Sequence, residues 1–447
     1  MHNFPYTNFH ELNLDWVLQQ VKTNKSDIHD TLTAVDSLKK QIFGAQKGVR
    51  DSEYVNIQDY IPEGYTGDIT EYFNKAYSDG YRAFYFPEDE YRLKFENSVD
   101  YSIKGDGRFK TIIRAVPNSN ASAMYISGTV QGLHFEGFTL RSLDNTAAKT
   151  MHGFRIMHDG GWLDLSAFND VSFQGFVNGF FCEGRAIWNV FTNCEFYGNY
   201  GNGFNVNVNP NEVFNNNIFY SCRFSNNRNY GITMTGSAIY SSINTVFIGC
   251  NIEKNGRNFY EWGDSNSQHC ILFTGIDSAF FTGCYFENNA QCESNAVVWY
   301  VNKSDVYIDK SSFVIESKPM FNGSGCSVHI DDSYGVSNAK LLLTDGNPTF
   351  SVTCNCFDKM GFINTNMGFQ VSSNLDFTGT NVIDNTGNAP VIYAVAPENK
   401  STPVYVITHD NVSTFNAAIM ASGENFTPEP NSVYAFFLKG GKLYPIK

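Results

Sequence analysis

The sequence predicts an all-β fold: a right-handed parallel β-helix, that is, a solenoid of stacked coils, with an N-terminal α-helical coiled-coil segment and a C-terminal antiparallel β domain. Three observations point there. One short phrase occurs four times, as Val190-Phe191-Thr192-Asn193-Cys194-Glu195-Phe196, Ile218-Phe219-Tyr220-Ser221-Cys222-Arg223-Phe224, Val246-Phe247-Ile248-Gly249-Cys250-Asn251-Ile252 and Phe280-Phe281-Thr282-Gly283-Cys284-Tyr285-Phe286. Its cysteines are 28, 28 and 34 residues apart, and five residues after each sits an asparagine (Asn199, Asn227, Asn255, Asn289). A second phase runs through Gly153, Gly179, Gly203 and Gly231, each followed by Phe or Ile. A fixed period of this length, with one apolar strand and one Gly/Asn turn per unit, is the mark of a solenoid.

Around each cysteine the apolar residues fall at −4, 0 and +2, as a strand with one buried face requires. One such strand cannot bury that face alone, but the same strand in the next coil covers it, at about 4.8 Å spacing. The asparagine after the strand fits a left-handed turn, and stacked asparagines can hydrogen-bond to one another. The ten cysteines resemble a disulfide set at first sight. Four of them lie in one strand file, however, and are expected inside as free, small apolar residues.

Residues 1–50 have helical character. Asn8 and Glu11 form a plausible capping pair, and Leu14, Val21, Ile28, Val35 and Ile42 recur every seven residues, one seam of a coiled coil. The companion positions are mixed: Val17 and Leu38 fit, Asn24 and Thr31 do not. The alternative is an amphipathic helix lying on its own subunit. Gly44 to Ser52 reads as a linker. The β-helix is assigned to 51–320, with roughly nine or ten coils of ~25 residues from Ala83 to Phe321. After Lys318-Pro319 the phase is lost. Residues 321–447 form the C-terminal β-rich domain, in which Tyr434 to Tyr444 reads as a hairpin; trimerisation and glycan binding are its two candidate roles.

Composition narrows the function. Lys and Arg number 31 against 45 Asp and Glu, a net charge of −14, which argues against a nucleic-acid groove. The first residues, Met1 to Tyr6, show no basic region leading into an apolar stretch, so no signal peptide is expected. No apolar run is long enough to insert in a membrane. No Cys/His spacing suits zinc and no spaced acidic loop suits calcium, so no metal and no cofactor is expected.

Outward positions of the strand file are free for chemistry. Glu253 and Glu287, both at +3, should lie on adjacent coils about 5 Å apart at the backbone. Glycoside hydrolysis needs two carboxyls ~5–5.5 Å apart for retention or ~6.5–9.5 Å for inversion. Neighbouring carboxylates repel, so one would become a proton donor. The bland alternative is two solvated side chains that splay apart. Three segments read as long loops carry sugar-type chemistry, an aromatic face beside carboxylates. The first contributes Trp162 and Asp164, the second Glu183, Arg185 and Trp188. The third contributes Tyr260, Glu261, Trp262 and Asp264, with His269 nearby. Glu261 and Asp264 join Glu253 and Glu287 as catalytic candidates; the other residues are substrate-binding candidates. Equally, Trp162 and Trp188 could merely cover the exterior or a subunit contact.

The segment from Tyr54 to Ile113 places a strand, the helix around Gly67-Asp68-Ile69-Thr70-Glu71, then Ala83-Phe84-Tyr85-Phe86-Pro87-Glu88-Asp89-Glu90-Tyr91, Gly105-Asp106-Gly107 and Thr111-Ile112-Ile113. This order resembles the start of the pectate-lyase-like superfamily, whose helix caps the open end of the β-helix. Phe4 to Trp16 resembles the start of tail-spike or tail-fibre proteins of phages that infect Gram-positive hosts. The resemblances imply a homotrimeric spike on the virion, made in the host cytoplasm. It would be anchored to tail or collar proteins through its N-terminus, and would recognise, and in many cases cleave, a host surface glycan (a polysaccharide or teichoic acid) as a glycoside hydrolase or lyase. In that setting Phe191, Phe219, Phe247 and Phe281, read as outward at −3, are expected to line the trimer contact, unless a bulge turns them inward. The alternatives are a non-enzymatic adhesin and a cellular polysaccharide lyase or hydrolase.

Overall fold

The computed structural model describes residues 54–208, 212–236, 244–256, 270–287, 289, 299–314, 321–324, 326–331 and 333, then short segments at 349–351, 363–364, 382–385, 391–392, 404–408, 414–415, 420–430, 432–439 and 442–445. The coiled-coil segment lies outside them. The body is a parallel β-helix. Among the described residues, successive coils build an eight-stranded and a nineteen-stranded sheet, and four of the coils add a short strand of a four-stranded sheet between the two. All pairings between coils are parallel and in register, for example Phe191↔Phe219↔Phe247↔Phe281.

The first strand among the described residues is Val55–Asn56, paired on Ala83–Phe86. The helix Thr70–Ser78 follows, its first N–H met by Asp68, whose Oδ1 accepts from Thr70 N at 3.0 Å. Its buried face carries Ile69, Phe73 and Ala76. Phe73 plugs the first coil, 4.7 Å from the Phe84 ring, 5.3 Å from Phe95 and 5.4 Å from Tyr101.

The phrase around each cysteine is two strands, not one. Val190–Thr192 and Glu195–Tyr197 are separated by Asn193 at φ 52°. The same left-handed corner recurs at Gly137, Asp170, Ser221, Gly249, Gly283 and Lys310. This corner resets the alternation, so −3, 0 and +2 all point inward. The expectation that Phe191, Phe219, Phe247 and Phe281 face outward is therefore wrong. They are buried in the core cluster. Their rings stack at 4.6, 4.7 and 4.4 Å within 11° of parallel. Val190, Ile218, Val246 and Phe280, expected inside at −4, are buried too, but on the opposite face of the strand and outside that cluster. In-register stacking explains the repeat: a phenylalanine ring packs best on an offset copy of itself one coil away, about 4.8 Å along the axis.

Cys194, Cys222, Cys250 and Cys284 form one interior file, buried as free thiols. Each donates to the carbonyl of the phenylalanine one coil back: Phe168 (3.3 Å), Phe191 (3.4 Å), Phe219 (3.5 Å) and Phe247 (3.5 Å). Burial holds the Cys194 and Cys250 thiols protonated. A thiol fits because the position needs small volume plus one weak donor. Hydroxyls take it over further on, where Ser311 Oγ accepts from Cys284 N at 3.1 Å and Ser333 Oγ from Ser311 N at 3.1 Å. The ladder thus runs on past residue 320, through Ser327–Asp331 to Thr349–Ser351. The sequence phase vanishes there because the marker residue changes from cysteine to serine, while the stacking does not.

The asparagines form a second file. Asn199 Nδ2 donates to Asn227 Oδ1 (2.8 Å), Asn227 Nδ2 to Asn255 Oδ1 (2.8 Å), and Asn255 Nδ2 to Asn289 Oδ1 (3.3 Å). The left-handed residue is the one before, namely Gly198, Asn226 and Lys254, so the turn role falls one position earlier than expected. Asn189 and Asn217 make a second, shorter ladder with a 3.0 Å bond. The glycine phase is the counterpart of the long ladder. A Cβ on Gly203 would lie 2.6 Å from Asn227 Nδ2, and one on Gly231 would lie 2.8 Å from Asn255 Nδ2.

Near the C-terminus Val433–Lys439 pairs antiparallel with Val404–Thr408 and forms the expected hairpin with Lys442–Pro445. Val382–Asn385 joins the same sheet in parallel. Among the described residues no helix is long and apolar enough to cross a membrane.

Candidate functional site

Two outward faces of the body gather polar chemistry. On the long sheet, Glu195, Arg223, Asn251 and Tyr285 stand one residue past the cysteine file, and Ser225, Glu253 and Glu287 stand three past. Glu253 and Glu287 are register partners on adjacent coils, as the spacing implied. Their setting differs from the expected pair of bare carboxylates. Arg223 donates from Nη1 to Glu195 Oε1 at 3.3 Å and from Nε to Glu253 Oε1 at 3.1 Å, with Nη2 also on Glu253. Burial lowers the Arg223 pKa, but the bond to Glu253 and the charges of Glu253 and Glu195 outweigh it, and the net shift is upward. Ser172 Oγ adds a donor to Glu195 Oε2 at 3.0 Å, and Gln174 links Ser172 to Arg141. Glu287 accepts from the Tyr285 hydroxyl at 3.2 Å. The two glutamates are thus brought together, with the counter-charge of Arg223 on the Glu253 side.

The second face lies on the short sheet. Trp162–Asp164 and Arg185–Ile187, read from sequence as loops, are strands paired Trp162↔Arg185 and Asp164↔Ile187. Leu163 and Ala186 point into the core, so alternation sends Trp162, Asp164, Arg185 and Ile187 outward. The Arg185 guanidinium sits 3.9 Å from the Trp162 ring centre, a cation–π stack. Asp164 is only 7% exposed, and its Oδ1, Trp162 Nε1 and Arg185 Nε are all buried without a hydrogen-bond partner. Burial raises the Asp164 pKa, opposed by the nearby Trp162 indole, the Arg185 charge and the Ile187 amide. The indole approaches the carboxylate but falls short of a formed hydrogen bond.

Trp188 turns the next corner at φ 57° and is 41% exposed. Glu183 is ion-paired with Arg155 at 2.6 Å, away from the Trp162 stack in register. Arg155 in turn lies over Phe181. His152, which sequence reasoning passed over, stacks on Phe181 at 4.6 Å and meets Asn178 Nδ2 at 3.0 Å. Burial and Arg155 push its pKa down to about 4. The signal was present: His152, Asn178 and Asn202 each precede a glycine of the second phase. Tyr260, Glu261, Trp262, Asp264 and His269 lie outside the described residues. Among the described residues no group of three or more His, Cys, Asp or Glu could hold a metal ion.

No family model matches the sequence, and no curated protein matches it. Solved structures do match in shape. The ORF18 protein of Geobacillus virus E2 superposes with TM-score 0.50 at 14% identity, over 94% of this chain and 80% of that one. The enzymatically active domain of tailspike protein 2 of bacteriophage CBA120 superposes with TM-score 0.50 at 9% identity, over 86% of this chain and 59% of that one. This chain therefore spans about three fifths of the length of that domain. At such identities the likeness is one of fold.

Proposed function

We propose that this chain is a phage tail spike that binds a host cell-surface glycan, polysaccharide or teichoic acid, through the outward faces of its β-helix. The observation that carries the reading is the short-sheet face, where a tryptophan, an arginine and an under-bonded aspartate stand in one row. An aromatic plane for the apolar side of a sugar ring, with donors and an acceptor beside it, is what carbohydrate sites use. The fold shared with two phage proteins supports it, and the net charge of −14 disfavours nucleic acid as ligand. In this reading residues 1–50 attach the spike to tail or collar proteins as a coiled coil. The β-helix from residue 51, with its ladder running on through Ser327–Asp331 to Thr349–Ser351, forms the glycan-facing body, and the C-terminal remainder helps lock a homotrimer or adds a sugar site.

A second reading, cleavage of the glycan, is favoured by one observation: Glu253 and Glu287 face each other in register. The experiment is to incubate purified protein with host cell walls, measuring retention on the walls and released oligosaccharide separately. Retention supports the spike reading, and its absence refutes it. Release that disappears in Glu253→Gln or Glu287→Gln assigns catalysis to that pair. Retention without release leaves a binding adhesin. A light-scattering mass of three chains tests the trimer.

A further inference from the structure

On the long sheet, the outward column three places past the cysteine file continues toward the capped end of the rod. It reads Tyr197, Gln174, Arg141, Arg114 and Arg92, one residue per coil. Like charges directly opposite on neighbouring strands repel, so three arginines in line call for counter-charges. Two have them: Arg92 pairs with Asp68 at 3.6 Å, and Arg114 pairs with Glu90. Arg141 makes no ion pair among the described residues. Its Nε and Nη2 donate instead to the neutral carboxamide of Gln174, reaching Oε1 at 3.1 and 2.6 Å. Gln174 is fixed in turn, its Nε2 donating to Ser172 Oγ at 2.9 Å and to Glu195 Oε2 at 3.4 Å. Arg223 shows the structural use of an arginine on this face, closed between Glu195 and Glu253. Arg141, in a chain with 45 acidic residues, is oriented by an amide and its charge is left unanswered.

The geometry of the fork says what would answer it. Gln174 occupies the Nε–Nη2 edge of the guanidinium, and the Nη1–Nη2 edge is the one that a second oxyanion meets with two parallel bonds. Arg141 is partly exposed. Two coils along the same column, about 10 Å away, Tyr197 is 38% exposed and offers an aromatic face of the kind on which sugar rings stack. With a net charge of −14, the protein repels anions at long range, so an anionic ligand needs a local cation to hold it. We propose that Tyr197, Gln174 and Arg141 form one subsite for a negatively charged glycan. A sugar ring lies on Tyr197, while an oxyanion of the same chain, phosphodiester or carboxylate, is gripped by the Arg141 fork that Gln174 positions. The inference rests on the glycan-binding reading and narrows its ligand to anionic chains.

The test is isothermal titration calorimetry on the full chain with three oligomers of equal length: a glycerol phosphate hexamer, hexagalacturonate and maltohexaose. At least one anionic oligomer should bind about tenfold more tightly than the neutral one, the equivalent of one charge-assisted bidentate contact. Preference for the phosphate oligomer identifies a phosphodiester as the source of the anion, and preference for the galacturonate identifies a carboxylate. Arg141→Gln should abolish the preference. Gln174→Glu, which hands the fork an internal carboxylate, should abolish it as well. Tyr197→Ala should weaken binding but keep the preference. Maltohexaose bound as tightly as both anionic oligomers overturns the inference, as does a preference that survives Arg141→Gln. It is also overturned if Lys303→Gln, which removes one positive charge elsewhere on the rod, lowers the preference equally. Wall retention with neither anionic oligomer bound overturns the inference and leaves the spike reading intact, whereas loss of both removes the two together.

Discussion

Asn227 offers the sharpest test of what holds the rod together. Its side chain makes four hydrogen bonds inside the body. Oδ1 accepts from Asn199 N (3.2 Å) and Asn199 Nδ2 (2.8 Å), while Nδ2 donates to Asn255 Oδ1 (2.8 Å) and Phe196 O (2.9 Å). Asn227→Ala removes all four bonds at a fully buried position. The main-chain N–H of Asn199 loses its acceptor and Phe196 O loses a donor. Each stranded buried group costs about 1–3 kcal/mol, so the loss should be roughly 4 kcal/mol. Guanidinium unfolding followed by circular dichroism reads the global value. Hydrogen exchange at the Asn199 amide reads the local one, and there ~4 kcal/mol corresponds to about a thousandfold faster opening. A loss below about 1 kcal/mol with unchanged exchange would show that the ladder fills space and does not clamp the coils.

Phe219→Ala should cost about 3–5 kcal/mol in the same unfolding assay, since Phe219 is sandwiched at 4.6 Å from Phe191 and 4.7 Å from Phe247; a loss near zero would contradict the inward assignment. His152 resists protonation when folded, with a pKa of about 4 against 6.5 for the free side chain. The unfolded chain therefore takes up the proton first, and stability falls as pH drops from about 6.5 to about 4, by ~3 kcal/mol. His152→Gln should flatten that slope in urea titrations at pH 7 and pH 4. Arg223→Met strands Glu195 and Glu253, whose side chains are 8% and 9% exposed. With the guanidinium itself 42% exposed, the loss should be ~2–4 kcal/mol. Adding Glu195→Gln and Glu253→Gln should restore most of it.

The parts of the fold that the sequence discloses are those where stacking forces like onto like. Cysteine on cysteine, asparagine on asparagine and the glycines that make room for the asparagines leave a visible period. The left-handed corner at −1 is harder to see because Asn193, Ser221, Gly249 and Gly283 differ in identity, although most of them belong to the types that tolerate that backbone. Missing it turned the phenylalanine file inside out. The facing of Glu253 and Glu287 followed from register alone. Arg223 between Glu195 and Glu253 did not, because the contact with Glu253 runs diagonally, from one position past the file to three past it. The Trp162 and Arg185 strands are three residues long and repeat no phrase, so only their composition spoke.

The plug made by Phe73 bears on how such a rod ends. Every coil presents to the next the same hydrogen-bonding rim and the same aromatic columns, so nothing within the repeat itself says stop. Removing the helix Thr70–Ser78 would bare Phe84, Phe95 and Tyr101 beside an unsatisfied strand rim, the kind of tip on which another chain can grow. The small helix thus acts as a full stop, keeping a self-complementary pattern from becoming a filament.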